Sequence, residues 1–315
     1  MNNSKKFFIY NIVLNLLVLL IFIFFNFIYT NYLCEENVKF LYLENSKINN
    51  LKIVNVGSSH GHRNIKYSQN LNAYNLGASS QDFYYDLKIL EKFKNKLGEN
   101  CIVIIPISIF SFYNGNKLDN INKNYIPFLK RKDILNISRS EYFFEKYFSV
   151  IQSFSKRKKV LEFIRMSFKK KKMDRNFITY RKDLSLEEKK MEAKKTAFYH
   201  LSINESIEIE MNNLKNIIRF CEDNNFKPIL ISTPQTYLYN EEIGEKNYKE
   251  RIYNNIKEIE KQLNKNYLYL DYSHDQRFEN NLEYFFDDDH LNEKGAKFFT
   301  EILLNDISKY YEISF

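Results

Sequence analysis

Cysteine is scarce in this chain and odd in number: Cys34, Cys101 and Cys221 are all it has among 315 residues. Their spacing matches no metal-binding pattern, and an odd count argues against a disulfide framework. Cys101 opens an apolar run and Cys221 falls on a helical pattern, so both are expected to pack in a core. The chain also has only four prolines, seven glycines and no tryptophan, while 44% of residues are hydrophobic and 17% aromatic. Such a composition excludes a disordered polymer and suffices for one sizeable core, or one core plus a large insertion. Charge is less selective. The 47 Lys+Arg against 39 Asp+Glu leave a net +8, which suits nucleic acid, anionic headgroups or an acidic polymer as neighbour.

Charge is missing altogether from Phe7 to Tyr29, 23 residues, enough at about 1.5 Å per residue to cross a hydrocarbon core of about 30 Å. Lys5 and Lys6 precede this run and Glu35 and Glu36 follow it. The positive-inside rule then leaves the N-terminus in the cytoplasm and the remainder outside. The run is long for a signal-peptide core and no small-x-small cleavage site follows, so an uncleaved anchor is expected. This location disfavours nucleic acid as partner. Asn11, Asn15 and Asn26 fall within about 60° of one another on the helix, a face expected to meet a membrane partner.

Beyond the anchor (1–30) and a polar connector (31–50), residues 51–315 alternate between strand and helix patterns. Leu51 to Val56, Ala73 to Leu76, Cys101 to Ile109, Pro228 to Thr233 and Tyr267 to Asp271 read as strands. Helical patterns occupy Phe83 to Leu97 and about 204–224, 247–264 and 292–311. Such alternation predicts an α/β domain with a mostly parallel sheet. Residues 112–200 break the rhythm and read as an inserted helical subdomain. Its basic clusters, 156–159 and 169–172, suit anionic headgroups or an anionic polymer.

Two stretches carry chemistry. Near the C-terminus, Asp287-Asp288-Asp289-His290 puts a carboxylate three residues ahead of a histidine at the start of a helical segment, an arrangement that can orient and charge-stabilise an imidazole. The spacing selects Asp287 and leaves Asp288 and Asp289 as turn residues. At the end of the first strand, Gly57-Ser58-Ser59 places a serine at the carboxyl edge of the sheet, where open α/β sheets bind ligands. It also lies near a helix N-terminus that favours developing negative charge. His60 and His62 follow, and with Asp287, Asp289 and His290 they offer a conceivable Zn²⁺ or Mn²⁺ donor set. Contact with substrate is the expectation for both, with no metal and no cofactor required. Thr233, at the end of the fourth strand, is a candidate for the rim, as is His274 for the mouth; His200 reads as structural.

Together Gly57-Ser58-Ser59, Asn75-Leu76-Gly77 and Asp287-x-x-His290 resemble the SGNH/GDSL hydrolase superfamily over residues 51–108 and 204–311. The resemblance implies a three-layer α/β/α sandwich, with Ser59 as nucleophile, His290 as general base, Asp287 as its orienting acid, and the amides of Ser59 and Gly77 as oxyanion donors. Two blocks depart from the pattern. Ser58 stands where the family usually has Asp, and Gly-x-Asn-Asp is absent after the third strand, leaving the third donor open between Ser108 and Asn114.

The N-terminal anchor and Asp-His-Leu-Asn narrow the likeness to the acyl-transfer partners of membrane-bound O-acyltransferases, similar to proteins of lipoteichoic-acid D-alanylation and alginate or peptidoglycan O-acetylation. This implies an acetyl or D-alanyl group added to, or removed from, a cell-surface glycopolymer, with a membrane O-acyltransferase as partner. The alternative is a non-catalytic scaffold that presents polymer to such an enzyme.

Overall fold

The computed structural model describes residues 3–28, 35–113, 125–154, 184–204 and 207–313. Its elements in order are α1 (Asn3–Ile28), α2 (Glu35–Asn45), β1 (Leu51–Asn55), α3 (Ser59–Asn64), β2 (Ala73–Asn75), α4 (Phe83–Phe93), β3 (Leu97–Pro106) and α5 (Arg139–Phe154). They continue with α6 (Leu186–Ser202), α7 (Ile207–Asp223), β4 (Lys227–Ser232), α8 (Tyr237–Tyr248), α9 (Asn254–Leu263), β5 (Tyr269–Asp271), α10 (Gln276–Glu279) and α11 (Glu293–Tyr311). Two compact units result: residues 1–47 with 118–173, and residues 48–117 with 174–315.

In the first unit, Ser4–Asn26 of α1 is a helix long and apolar enough to cross a membrane. The expected asparagine face is partly used within the chain. Asn26 Nδ2 donates to the Lys146 carbonyl of α5 at 3.2 Å, and Asn11 Nδ2 to the Phe7 carbonyl one turn back at 2.9 Å. The polar connector contains α2, whose Phe40 and Leu43 are buried. The basic clusters 156–159 and 169–172 and Cys34 lie outside the described residues.

The second unit holds a five-stranded, wholly parallel sheet in the order β2-β1-β3-β4-β5. Each predicted strand is present. Cys101 to Pro106 of β3 is buried without interruption, as befits a central parallel strand covered on both faces. β3 starts earlier than its apolar run because Leu97 pairs with Leu51 before the register shifts to Ile53 opposite Ile102. The core joins Ile53, Ile104, Ile229 and Ile231 of the sheet to Phe299, Leu303 and Ile307 of α11. Cys101 and Cys221 are buried thiols; burial pushes the Cys101 pKa up to about 12 and that of Cys221 up as well.

Two boundaries differ from the sequence expectation. The helix expected at about 247 is preceded by α8, capped by Thr236, whose hydroxyl accepts from the Tyr239 amide; Gly244, at φ +72°, interrupts it. α6, within the expected insertion, belongs to the sheet-bearing unit, packing against α8 with Ala193 and Ala197 fully buried.

Candidate active site

The turn after β1 is built to a tight specification. Gly57 has φ +103°, and a Cβ there would lie 3.0 Å from Pro106, so the chain can reverse only with glycine. Its amide donates to Asp86 Oδ1 at 2.7 Å, an oxygen that also accepts from Gln81 Nε2. Ser59 then opens α3. That short helix is clamped to the sheet by two asparagines: Asn55 Nδ2 donates to the Gly61 carbonyl, and Asn75 Nδ2 to the carbonyls of Gly61 and Ile65, each at 2.9 Å.

The second half of the site is the loop before α11. Asp287 Oδ1 accepts the backbone amides of His290 at 2.8 Å and Asp289 at 3.2 Å, folding the loop back on itself. Asn64 of α3 ties it down, accepting from the Leu291 amide at 2.8 Å and donating to Thr233 Oγ1 at 2.9 Å. The imidazole of His290 is thereby aimed at α3. Its Nε2 lies 2.7 Å from Ser59 Oγ across 231 residues of sequence, and its Nδ1 lies 2.8 and 3.0 Å from the two oxygens of Asp287. Ser59, His290 and Asp287 thus form one hydrogen-bonded chain.

Asp288 and Asp289 lie in the bend before α11, as their spacing suggests, but both are buried and bonded. Asp288 secures the loop: its carbonyl accepts from Thr236 Oγ1 at 2.8 Å and its carboxylate from Thr196 Oγ1 at 3.3 Å. Asp289 sits among histidines, with Oδ1 at 3.0 Å from His290 Nδ1 and Oδ2 at 3.0 Å from His60 Nε2 and 3.8 Å from His200 Nδ1. Burial alone would lower the His290 pKa. The charge of Asp289, with the hydrogen bonds that His290 donates to Asp287 and Asp289, overrides it and pushes the imidazole up to about 10. Burial would likewise raise Asp289, but His290 and His60 hold it well below the carboxylate range. His200 goes the other way, down to about 4, chiefly from burial.

Other expected site residues take different places. His60 is 1% exposed, its ring hydrogen-bonded to Ser108 Oγ and Asp289, so it supports the site from behind and does not face substrate. Ser108, one of the two open candidates for the third oxyanion donor, is thereby engaged with His60. Thr233 is also buried and serves Asn64. The Gly77 amide donates to Asn75 Oδ1 at 2.9 Å, which removes the expected second oxyanion donor in this arrangement. Gly77 instead permits close approach, since a Cβ would lie 2.9 Å from Gly57 O, Gly61 C and His62 N. Ser59 keeps the expected position at the first turn of α3, where helical amides lack intrahelical acceptors. His62 is half-buried; Asn114 lies outside the described residues. His274 is paired with Glu279 at 3.2 Å. His60, Asp289 and His290 also bring donor atoms within 4.8 Å of one another, close enough to hold a metal ion; the same atoms serve the hydrogen bonds above.

Neither family models nor curated proteins match this chain. The site's own chemistry therefore carries the function. His200, expected to be structural, lies on α6 and hydrogen-bonds Tyr239 through Nδ1 at 2.7 Å; its nearness to Asp289 was not legible, because the two come from distant segments. Sequence spacing missed the clamps Asn55, Asn64 and Asn75, where the available signal was an amide side chain at each of two strand ends and at the end of α3.

The turn carries a pH signature. Burial first raises Asp86 to about 8 and Glu210 to about 8, against an ordinary value near 4. Between those values the native state holds more protons than the unfolded chain, so stability falls as pH rises. His290, raised above its ordinary range, loses its contribution in the same direction up to about pH 10. His200, lowered, opposes the trend only below about pH 6.5. The melting temperature is therefore expected to drop between about pH 6.5 and 8.5. Asp86→Asn, which can still accept both hydrogen bonds through Oδ1, is expected to make the drop shallower by calorimetry. An unchanged slope would contradict the buried-carboxyl account.

Proposed function

We propose that this protein is an SGNH-type serine esterase or acyltransferase that adds or removes an acyl group on a hydroxyl of a cell-surface glycopolymer. The observation that carries the proposal is the chain from Ser59 Oγ to His290 Nε2, 2.7 Å, and from His290 Nδ1 to Asp287, 2.8 Å. A serine hydroxyl is a weak nucleophile until a base removes its proton as it attacks. His290 is placed to do this, and Asp287 fixes the tautomer with Nε2 facing Ser59. Attack on an ester carbonyl gives an acyl-Ser59 intermediate and returns the proton to the leaving alcohol. A second hydroxyl, from water or a sugar, then repeats the sequence and regenerates Ser59.

The topology supports the same reading. In the order β2-β1-β3-β4-β5 the chain reverses direction between β1 and β3, and ligands bind such sheets outside the carboxyl ends at that switch point. Ser59 follows β1 and Ser108 follows β3. Right-handed crossovers would put α3 and α11, which pack together, on one face, and α4, α7 and α9 on the other, which is the three-layer sandwich. The apolar helix α1 supports anchorage in a membrane with the domain on the outer side, where a membrane-bound O-acyltransferase and its polymer would be reached.

An enzyme and a scaffold respond differently to an activated acyl donor. Full-length protein treated with 4-nitrophenyl acetate is expected to gain one acetyl group on the peptide containing Ser59, read by mass spectrometry after an acid quench. No release of nitrophenol above background, or a release that Ser59→Ala matches, would contradict the proposal.

A further inference from the structure

A triad needs one carboxylate behind its histidine, and this site has two. Asp287 and Asp289 both reach His290 Nδ1, at 2.8 and 3.0 Å, but the Asp287 side chain is 39% exposed and that of Asp289 only 4%. Charge–charge attraction weakens with the effective dielectric, so at equal distance the solvent-shielded carboxylate acts more strongly on the imidazolium. A buried carboxylate is also costly unless partnered on both oxygens. Here each oxygen has an imidazole at 3.0 Å: Oδ1 faces His290, and Oδ2 accepts from His60 Nε2, with His200 Nδ1 farther off at 3.8 Å. With Nε2 carrying the proton, His60 Nδ1 accepts from the Ser108 hydroxyl, which fixes the tautomer. The rings of His60 and His290 are 4.9 Å apart.

We propose that Asp289 is a second positioning residue for His290, sharing with Asp287 the compensation of the imidazolium, and that His60, oriented by Ser108, holds Asp289 in place. This rests on the reading of Ser59 as nucleophile. As the Ser59 Oγ–carbon bond forms, the carbonyl π pair moves to oxygen and the Ser59 proton passes to His290 Nε2. The charged ring then faces two carboxylates through Nδ1, and neither takes its proton. When the tetrahedral adduct collapses, that proton leaves with the departing alkoxide. The groups facing this ring are Asp287 and Asp289 from its own loop, Ser59 and His60 from α3, and His200 from α6, the last bonded to Tyr239 of α8.

The test is the rate at which a fluorophosphonate adds to Ser59 of the full-length protein in detergent, followed by intact mass from about pH 5 to about pH 11.5, past the raised His290 midpoint. The reaction needs neutral His290, so its midpoint reports that ring. In the wild type the rate is expected to go on rising well above about pH 6.5, the ordinary histidine midpoint. Asp289→Asn is expected to lower the midpoint by at least about one unit and to slow the plateau about tenfold or more. Asp287→Asn, at the exposed carboxylate, should shift the midpoint less. His60→Leu should slow the plateau, and His60→Gln, whose amide can still donate to Asp289, should restore most of it.

A labelled wild type with the same profile and rate in Asp289→Asn overturns the two-carboxylate clamp alone. Should Asp289→Asn fail to fold, a wild-type midpoint near 6.5 together with an unaltered His60→Leu overturns it equally. No labelling of wild-type Ser59 at any pH overturns the nucleophile reading and the clamp with it.

Discussion

Ser59→Ala is expected to lower turnover of an activated ester by roughly three to six orders of magnitude while leaving the melting temperature within about a degree of wild type. The size of the loss follows from the geometry. Ser59 Oγ is the only hydroxyl hydrogen-bonded to His290 among the described residues, and removing it leaves the base with nothing to activate except water. A residual rate is expected from substrate binding and from the Ser59 amide, which alanine retains. Stability should hardly move, because the hydroxyl anchors no structural element: α3 is held by Asn55 and Asn75 and the loop by Asn64, Thr236 and Asp287. Equal turnover in Ser59→Ala and wild type would make the hydrogen-bonded chain a structural feature and favour the scaffold alternative.

Gly77→Ala is expected to act mainly on stability. A Cβ at this position meets three backbone atoms at 2.9 Å, Gly57 O, Gly61 C and His62 N. None of them is the end of a flexible side chain, so relief requires moving the Gly57 turn away from β2. Overpacking of this kind costs about 1–3 kcal/mol, and more where backbone cannot yield; a loss of about 3 kcal/mol or more is expected in denaturant titration. The displaced turn carries Ser59, so phosphonylation should also slow even where the variant remains folded. A Gly77→Ala protein as stable as wild type would contradict the close-approach account of this glycine.

Much of the fold was legible because the strands of a parallel sheet are written as short runs bounded by turn residues, and all five appear where such runs occur. The pair Asp287 and His290 was legible for a related reason: a three-residue spacing at the start of a helix is local geometry. The role of Asp289 was not. Its burial depends on His60, His200 and Tyr239, each from a different element, and alternation along Asp287-Asp288-Asp289 carries no trace of those neighbours. The same holds for His60, which follows the serine in sequence but faces away from any approaching substrate. The bond from the Gly77 amide to Asn75 was not legible, because an asparagine at the end of a strand does not show in sequence which way its side chain turns. α2 escaped notice because a helix with just two buried apolar side chains, Phe40 and Leu43, leaves almost no periodic signal.

The central claim is that Ser59 is an activated nucleophile. Intact-mass analysis of the full-length protein after exposure to a fluorophosphonate near about pH 10, where a large share of His290 is neutral, tests it most directly. One adduct per chain is expected, mapped to Ser59, absent from Ser59→Ala and strongly reduced in His290→Ala. An unmodified wild type, or an adduct that persists in Ser59→Ala, would contradict the account.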